Sequence, residues 1–164
     1  MPQRKIVRRT RGNRHGPITR LMSPSDLGQL LKPFVFLDHF DLHGATGGTE
    51  LHPHSGIATL TYLFEGTIQY EDSNGETGAV PAGGVEWFKA AHGAWHAGGQ
   101  EESGRARGFQ LWLALSAGLV NSGCKRFNVG SRAKADFREQ PRPLLLEIVR
   151  QLGPFRRRSR TRCP

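Results

Sequence analysis

The 164-residue chain has few cysteines, no long apolar run and almost no acids at its two ends. Cys124 and Cys163 are too few and too far apart for a disulfide scaffold, and neither lies in a Cys-x-x-Cys spacing, which favours a reducing compartment. Because no stretch of 18 apolar residues occurs, we expect no transmembrane helix. The basic N-terminus also lacks the apolar segment of a secretory signal. These absences predict a cytoplasmic protein without a membrane span.

The charges are unevenly distributed along the chain. Residues 1–20 hold seven Lys or Arg and no acid, and residues 124–164 hold twelve against three acids, whereas residues 21–123 hold four against eleven acids. The formal net charge of +9 therefore belongs to the two ends. Basic ends allow non-specific contact with nucleic acid, but no nucleic-acid motif is present. Solvated ends without a partner are the simpler interpretation.

Glycine and proline are abundant, with 21 and 10 residues, which predicts many short strands joined by turns. Residues 67–72 are expected to pair with the preceding strand across the Glu65-Gly66 turn. Asn74-Gly75 predicts a hairpin with a type I′ turn. The strand-like segments are residues 34–40, 55–66, 67–72, two short strands within 77–91, and 107–115. This pattern predicts an all-β sandwich or small barrel.

Only short helical additions are expected. One is predicted from Ser25 or Asp26 to the Lys32-Pro33 step, and another over residues 143–152, which begins at a proline and ends at Gly153-Pro154. Residues 1–20 are interpreted as a basic arm that joins the barrel. Residues 121–164 are interpreted as an atypical basic tail.

Two histidines one residue apart precede a strand-like run. On a strand, residues i and i+2 share a face, so His52 and His54 can both point inward. Imidazole suits Fe, Zn, Cu and Ni, but two histidines hold a metal poorly without a third ligand. His92 and His96 are candidates for that ligand. The alternative is that His-x-His is a chance occurrence in a glycine-rich segment.

The order of these motifs resembles that of the pirin family, within the cupin superfamily, over about residues 10–115. The segments that carry the resemblance are HGPITRLMSPSDLG, LKPFVFLDHFD, HPHSGIATLTYLFEG, DSNGETG, GGVEWFKAAHGAWHAGG and RGFQLWLAL. The resemblance implies a single cupin-type β-barrel, or jelly roll, formed by a double-stranded β-helix. Pirins have two such barrels, so residues 21–120 are expected to be the first of them, with the second missing.

In the pirin family three histidines and one glutamate bind a metal, usually iron. The resemblance places the three histidines at His52, His54 and His96. The glutamate is expected two residues after the third histidine, where this chain has Gly98. Gln100 or Glu101, from the segment that follows, is the candidate fourth ligand. The resemblance assigns no metal role to His39, His43 or His92.

Some pirins cleave quercetin, a flavonol, with O₂, and the resemblance implies Fe(II) and a flavonoid-like ligand here. Because the usual base is the absent glutamate, Glu86 and Glu101 are the candidate catalytic acids, although a solvent-facing strand carboxylate is the simpler interpretation of Glu86. Other pirins bind a transcription factor or a metabolic enzyme without catalysis. A metal-dependent regulator, a homodimer formed through the face of the missing barrel, and a truncated inactive fragment therefore remain open.

Overall fold

The computed structural model describes residues 5–6, 8–44, 49–100 and 104–129, and these residues form strands with almost no helix. The elements are β1 Asn13–His15, β2 Ile18–Met22, β3 Phe34–His43, β4 Thr49–His54, β5 Ile57–Glu65, β6 Thr67–Asp72, β7 Thr77–Pro81, β8 Val85–Lys89, β9 Ala94–Gln100, β10 Arg105–Ala114, α1 Ala117–Val120 and β11 Lys125–Val129. The predicted all-β class is confirmed. The helix expected over residues 143–152 lies outside the described residues.

The strands form two antiparallel sheets, which we name the large and the small sheet. The large sheet has the order β1-β2-β3-β10-β5-β8-β11, and the small sheet has the order β4-β9-β6-β7. Phe40, Leu63 and Ala106 of the large sheet pack against Val80 of the small sheet, and all four are buried. The core therefore lies between two facing sheets, as in a jelly roll.

The predicted pairing of β6 with β5 is wrong. β5 pairs with β8 and β10, whereas β6 pairs with β7 and β9 in the small sheet. The chain changes sheets at Gly66, which has a φ of 80° and lies so close to Arg105 that an added Cβ would be 1.8 Å from its carbonyl oxygen. Only glycine fits this crossing without a shift of the backbone.

The hairpin at Asn74-Gly75 is confirmed, but its predicted turn type is wrong. Gly75 has a φ of 81°, whereas Asn74 does not adopt the positive φ that a type I′ turn needs. Asp72 instead accepts a hydrogen bond at Oδ1 from the backbone N–H of Asn74, at 2.9 Å. This Asx-type contact holds the turn between β6 and β7.

The short helix predicted near Ser25 is also wrong, because residues 24–30 form turns. The backbone N–H of Gly28 donates to the carbonyl of Ser23, five residues back, rather than to the residue four back. An added Cβ on Gly28 would lie 2.8 Å from that same carbonyl. Ser-Pro-Ser-Asp followed by glycine thus favours a compact turn over a regular helix.

The sequence patterns also missed β11. This strand pairs with β8 over five residues, from Lys125↔Lys89 to Val129↔Val85, and extends the large sheet. β1 and β2 form a hairpin on the opposite edge of the sheet, where β2 pairs with β3. In the part of the chain that the structure describes, no helix has the length and apolar character to cross a bilayer.

Candidate metal centre

The fold brings His52, His54 and His96 together. The two histidines of β4 project from the same side of the strand, and β9 pairs with β4 so that His96 lies opposite His52. One ring nitrogen from each histidine lies within 4.8 Å of the others. The spacing along β4 thus brings His52 and His54 together, and the register between β4 and β9 adds His96.

A backbone contact orients the His52 ring. Its Nδ1 lies 2.7 Å from the carbonyl oxygen of Glu50, which can only accept, so Nδ1 carries the proton and Nε2 has a free lone pair. This Nε2 is 3.0 Å from Nε2 of His54. With Nδ1 of His52 protonated, Nε2 of His54 is the donor in this contact, and a cation at this point would replace the shared proton.

The environment keeps the imidazoles of His54 and His96 neutral. Burial, and then the positive potential of His52, lower the pKa of His54. Burial, and then repulsion from the other two histidines, lower the pKa of His96 to about 3. Because a metal binds only the neutral imidazole, these shifts favour the ligand form at neutral pH.

Aromatic rings flank the cluster on two sides. Phe88 stacks on His96 with the ring centroids 4.6 Å apart, and the edge of Trp112 meets His54 at 4.8 Å. Nε2 of His96 is buried and has no hydrogen-bond partner among the described residues. A polar atom held in this way needs an acceptor or a cation, so the three residues fit a transition metal.

The described residues add no fourth ligand to this cluster. It contains no Cys, Asp or Glu, and Gly98 has no side chain to contribute. Gln100 is the last residue of β9 and pairs with Ile68 through the backbone. Glu101 lies outside the described residues. The fourth-ligand assignments to Gln100 and Glu101 therefore stay predictions.

Glu86 does not face solvent, so the simpler interpretation of this residue is wrong. Glu86 is buried in β8 on the side that faces the histidines, and burial raises the pKa of its carboxyl group. Its partner is Arg126 of β11, which also pairs with Asp72 at 3.1 Å. The sequence offered no signal for this cluster, because its three residues come from separate strands and Arg126 looked like part of a basic tail.

Arg126 also supports the ring that packs on His96. Its guanidinium carbon lies 4.2 Å from the centroid of the Tyr70 ring and 4.4 Å from that of Phe88. Phe88 is thus held between Arg126 and His96. The arginine fixes the wall of the candidate metal centre without contacting its nitrogen cluster.

His39, His43 and His92 lie outside the cluster. His39 stacks on Phe64 and lies 5.3 Å from Phe109, between ring centroids, on the outer face of the large sheet. His43 contacts Asp41 at 3.0 Å. His92 is exposed in the turn before β9.

Comparison with known proteins matches the chain to one family, whose model, Pirin, covers residues 15–113. A pirin-like protein of Caulobacter vibrioides is 35% identical over 131 residues, which are 74% of this chain and 47% of that protein. The crystal structure of a quercetin 2,3-dioxygenase from Acinetobacter baumannii gives a TM-score of 0.63 at 29% identity, and the match covers 70% of this chain and 43% of that chain.

A bacterial pirin from Escherichia coli, crystallised in complex with nickel(II), gives a TM-score of 0.59 at 21% identity and supports the fold alone; the match covers 71% of this chain and 52% of that chain. The chain spans less than half the length of the curated relatives it matches. These matches confirm the cupin-type jelly roll. Since the family model covers more than half of the chain, from the last residue of β1 to the penultimate residue of β10, this protein belongs to the Pirin family.

Proposed function

We propose that the chain binds one transition metal ion, Fe(II) in the cell, through His52, His54 and His96. The observation that carries this proposal is the convergence of three ring nitrogens within 4.8 Å, two of them on rings whose pKa is lowered. Three imidazoles leave several coordination positions free for a substrate. A bacterial pirin of the same fold, from Escherichia coli, was crystallised in complex with nickel(II).

We further propose that the bound metal supports oxidation of a quercetin-type flavonol by O₂. The likeness to the Acinetobacter baumannii quercetin 2,3-dioxygenase supports this substrate class. The metal would supply Lewis acidity and a point of contact for the deprotonated flavonol and O₂. The protein contributes a fixed orientation of His52 through the Glu50 carbonyl, and it excludes water with the rings of Phe88 and Trp112.

A flavonol hydroxyl must lose a proton in this reaction. Glu86 is the described acid that best suits a proton acceptor, because burial raises the pKa of its carboxyl group and it lines the same cavity as His96. The Arg126 guanidinium holds one of its oxygens, so Glu86 would accept a proton only at the other. Glu101 remains the alternative base.

Metal analysis of the purified protein is the first test. We expect close to one equivalent of a transition metal, and less than about a tenth of an equivalent would contradict metal binding. His96→Ala should remove most of the metal, because it deletes one of three ligands. His92→Ala is the matched control, since His92 is exposed four residues away and should leave the metal content unchanged. Equal metal content in the two variants would refute the ligand assignment.

The metal-loaded protein then tests the oxidation. Quercetin is first bound without O₂ and followed by its visible absorption, and O₂ is admitted afterwards. We expect the quercetin band to decay in wild type and to persist in His96→Ala. Binding without decay would refute the dioxygenase activity while leaving the metal site in place.

A second candidate function is metal-dependent binding of another protein without catalysis. Gly98 supplies no carboxylate base, and the outer face of the large sheet exposes aromatic side chains, with Tyr62 and Phe109 37% and 39% exposed. These rings lie beside Phe64 and His39 and would suit a transcription factor, a metabolic enzyme or a second copy of the chain. Light scattering separates the monomer from the dimer, and quercetin that is stable under O₂ favours this candidate.

The proposed compartment is the cytoplasm. Cys124 is a free thiol whose Sγ contacts the carbonyl oxygens of Ala90 and Gly93 at 3.0 and 3.1 Å. A packed free thiol suits a reducing environment.

A further inference from the structure

A small cavity lies inside the barrel next to His96. Its volume is about 120 Å³. The polar side chains of its lining come from seven different strands and are those of Thr49, Thr61, Tyr70, Glu86, His96, Gln110 and Arg126. A single water needs roughly 10–15 Å³ of such space, so the cavity has room for a molecule of a few non-hydrogen atoms. Ligand pockets for flavonol-sized molecules are roughly 300–1,000 Å³, so only the reacting edge of a flavonol can enter this cavity beside Glu86 and His96.

Gly98 lines the cavity and leaves it free of a side chain at this position. Gly98 lies two residues after His96 on β9, so a side chain at this position would project from the same face as His96. A Cβ built there would meet only ordinary contacts, with the Gln69 carbonyl oxygen at 3.4 Å and Ile68 at 3.8 Å. The backbone does not require glycine at this position, because the φ of Gly98 is not positive.

The cavity wall carries a hydrogen-bond donor without an acceptor. Nε of Arg126 donates to Asp72 and Nη1 donates to Glu86, but Nη2 is buried and has no partner among the described residues. The whole arginine side chain is 2% exposed and is clamped between the Tyr70 and Phe88 rings, so Nη2 cannot turn to solvent. An unpaired charged donor at this depth selects an acceptor.

Three side-chain acceptors along the same wall, those of Gln110, Thr61 and Glu86, already interact with donors. Oε1 of Gln110 accepts from the indole N–H of Trp112 at 2.9 Å, and Thr61 Oγ1 accepts from Nε2 of Gln110 at 3.2 Å. Glu86 interacts with both Arg126 and Thr61. A ligand in this cavity therefore meets the unpaired Nη2 donor of Arg126 beside amide and hydroxyl acceptors that already take part in hydrogen bonds, and this pattern suits an anion.

The charge balance of the site also favours an anion once a metal is present. Asp72 and Glu86 together outweigh Arg126 by one negative charge, and a divalent ion at the histidines would reverse the sign to one positive charge. A buried site with one uncompensated positive charge favours one bound anion. The anion and the metal should therefore bind cooperatively.

We propose that this cavity takes a small monocarboxylate, of the size of formate or acetate, between the Arg126 guanidinium and the metal side of His96. The proposal rests on the metal site proposed above and specifies a second ligand for it. The carboxylate would pair with Nη2 through one oxygen and present the other beside His96, in the space that a longer side chain at position 98 would fill.

The test measures Co(II) binding to the metal-free full chain, by calorimetry and by the visible absorption of Co(II), which changes with the number of ligands. Acetate, formate and benzoate are each compared with chloride at equal ionic strength. We expect acetate and formate to tighten Co(II) binding about tenfold, within the usual range for two coupled ligands, and to change the spectrum. Benzoate should tighten Co(II) binding less than acetate does, because its ring leaves the carboxylate less room beside Arg126 and His96.

Two variants at one position make the test specific. Gly98→Val fills the cavity with hydrocarbon, and acetate should then change the Co(II) affinity by less than about twofold. Gly98→Glu supplies a carboxylate from the chain, so its Co(II) affinity in chloride should exceed that of wild type and acetate should add nothing. Thermal unfolding confirms that each variant is folded, and if Gly98→Val is not folded, Gly98→Glu carries the comparison.

The outcomes separate this proposal from the metal site itself. If Co(II) binds equally in acetate and chloride, or if Gly98→Val keeps the acetate effect, the carboxylate site is refuted while the metal site stands. If Co(II) does not bind in any of these salts, the three-histidine metal site is refuted and the carboxylate site with it.

Discussion

Replacing Arg126 by methionine should destabilise the fold strongly. The Arg126 side chain is 2% exposed, and its two carboxylate partners, Asp72 and Glu86, are 1% and 10% exposed. Methionine keeps much of the length and apolar volume of the arginine stem and removes only the charged group. The variant therefore leaves two carboxylates buried without their cation.

The magnitude follows from this burial. Breaking a buried ion pair by removing one partner costs about 3–5 kcal/mol, because the remaining charge stays out of water. The variant also lacks the contacts that the guanidinium makes with the Tyr70 and Phe88 rings. These contacts are lost together with the ion pairs, so no separate energy is added for them. A typical domain is stable by roughly 5–15 kcal/mol, so the variant should lose a large part of its free energy of unfolding.

Arg107→Met is the matched control. Arg107 pairs with Glu65 at 3.0 Å and lies over the Phe64 ring at 5.1 Å, so it makes the same kinds of contact as Arg126. However, its side chain is 34% exposed and that of Glu65 is 41% exposed. A surface pair of this kind contributes about 0.2–1 kcal/mol.

Urea unfolding of the three proteins at neutral pH, followed by circular dichroism, measures the difference. A loss in Arg126→Met no greater than that in Arg107→Met would refute the buried cluster, and with it the packing of β11 on the barrel.

The pH dependence of the Arg126→Met variant supplies an independent check. Without the guanidinium, burial raises the pKa of Glu86 further above its unfolded value, so the folded state binds a proton that the unfolded state has released. The stability deficit of Arg126→Met should therefore grow as the pH rises above about 4.5. Arg126→Met combined with Glu86→Gln should show a smaller deficit and a weaker dependence on pH.

Two further perturbations test the frame around the site. Gly75→Ala should cost about 1–2 kcal/mol, because φ is positive but the space around the residue is open. Gly66→Ala should cost clearly more than this, because φ is positive there too and its Cβ would lie 1.8 Å from the Arg105 carbonyl oxygen. Equal losses on urea unfolding would contradict the close approach. Asp41→Asn should lower the free energy of unfolding by about 0.2–1 kcal/mol at neutral pH. The guanidinium of Arg105 donates to both oxygens of Asp41 and lowers the pKa of this carboxyl group to about 2. The carboxyl group of Asp41 binds protons more readily in the unfolded state, so the stability difference between wild type and Asp41→Asn should disappear as the pH falls from about 4 towards 2. A stability difference that persists at low pH would contradict the pairing of Asp41 with Arg105.

The sequence predicted the features that depend on local periodicity. The spacing of His52 and His54 set two ring nitrogens on one face, and Asn74-Gly75 marked a hairpin. The pairing of β6 was not predictable from spacing. Two strands joined by a short glycine turn can pair with each other as a hairpin or belong to different sheets, and the turn residues are the same in both cases. Here the carbonyl of Arg105, distant in sequence, sets the conformation at Gly66.

The burial of Glu86 was hidden for a related reason. A carboxylate in a strand usually faces water unless a cation lies beside it, and that cation comes from β11, forty residues later. The sequence around Arg126 is basic and showed no clear alternation, so it favoured a solvated tail. The ion pair and the strand that carries it are therefore one missed feature rather than two.

β11 lies beyond residues 15–113, the part of the chain that the family model matches, yet it contributes to the candidate metal centre. Arg126 holds Phe88 against His96, pairs with Glu86 and Asp72, and lines the cavity beside Gly98. The histidine cluster and the cavity therefore share one wall, and that wall is fixed only when β11 is paired with β8. Because metal binding and this strand stabilise the same residues, a metal ion that binds only the folded site should also protect the backbone amides of β11 from hydrogen exchange.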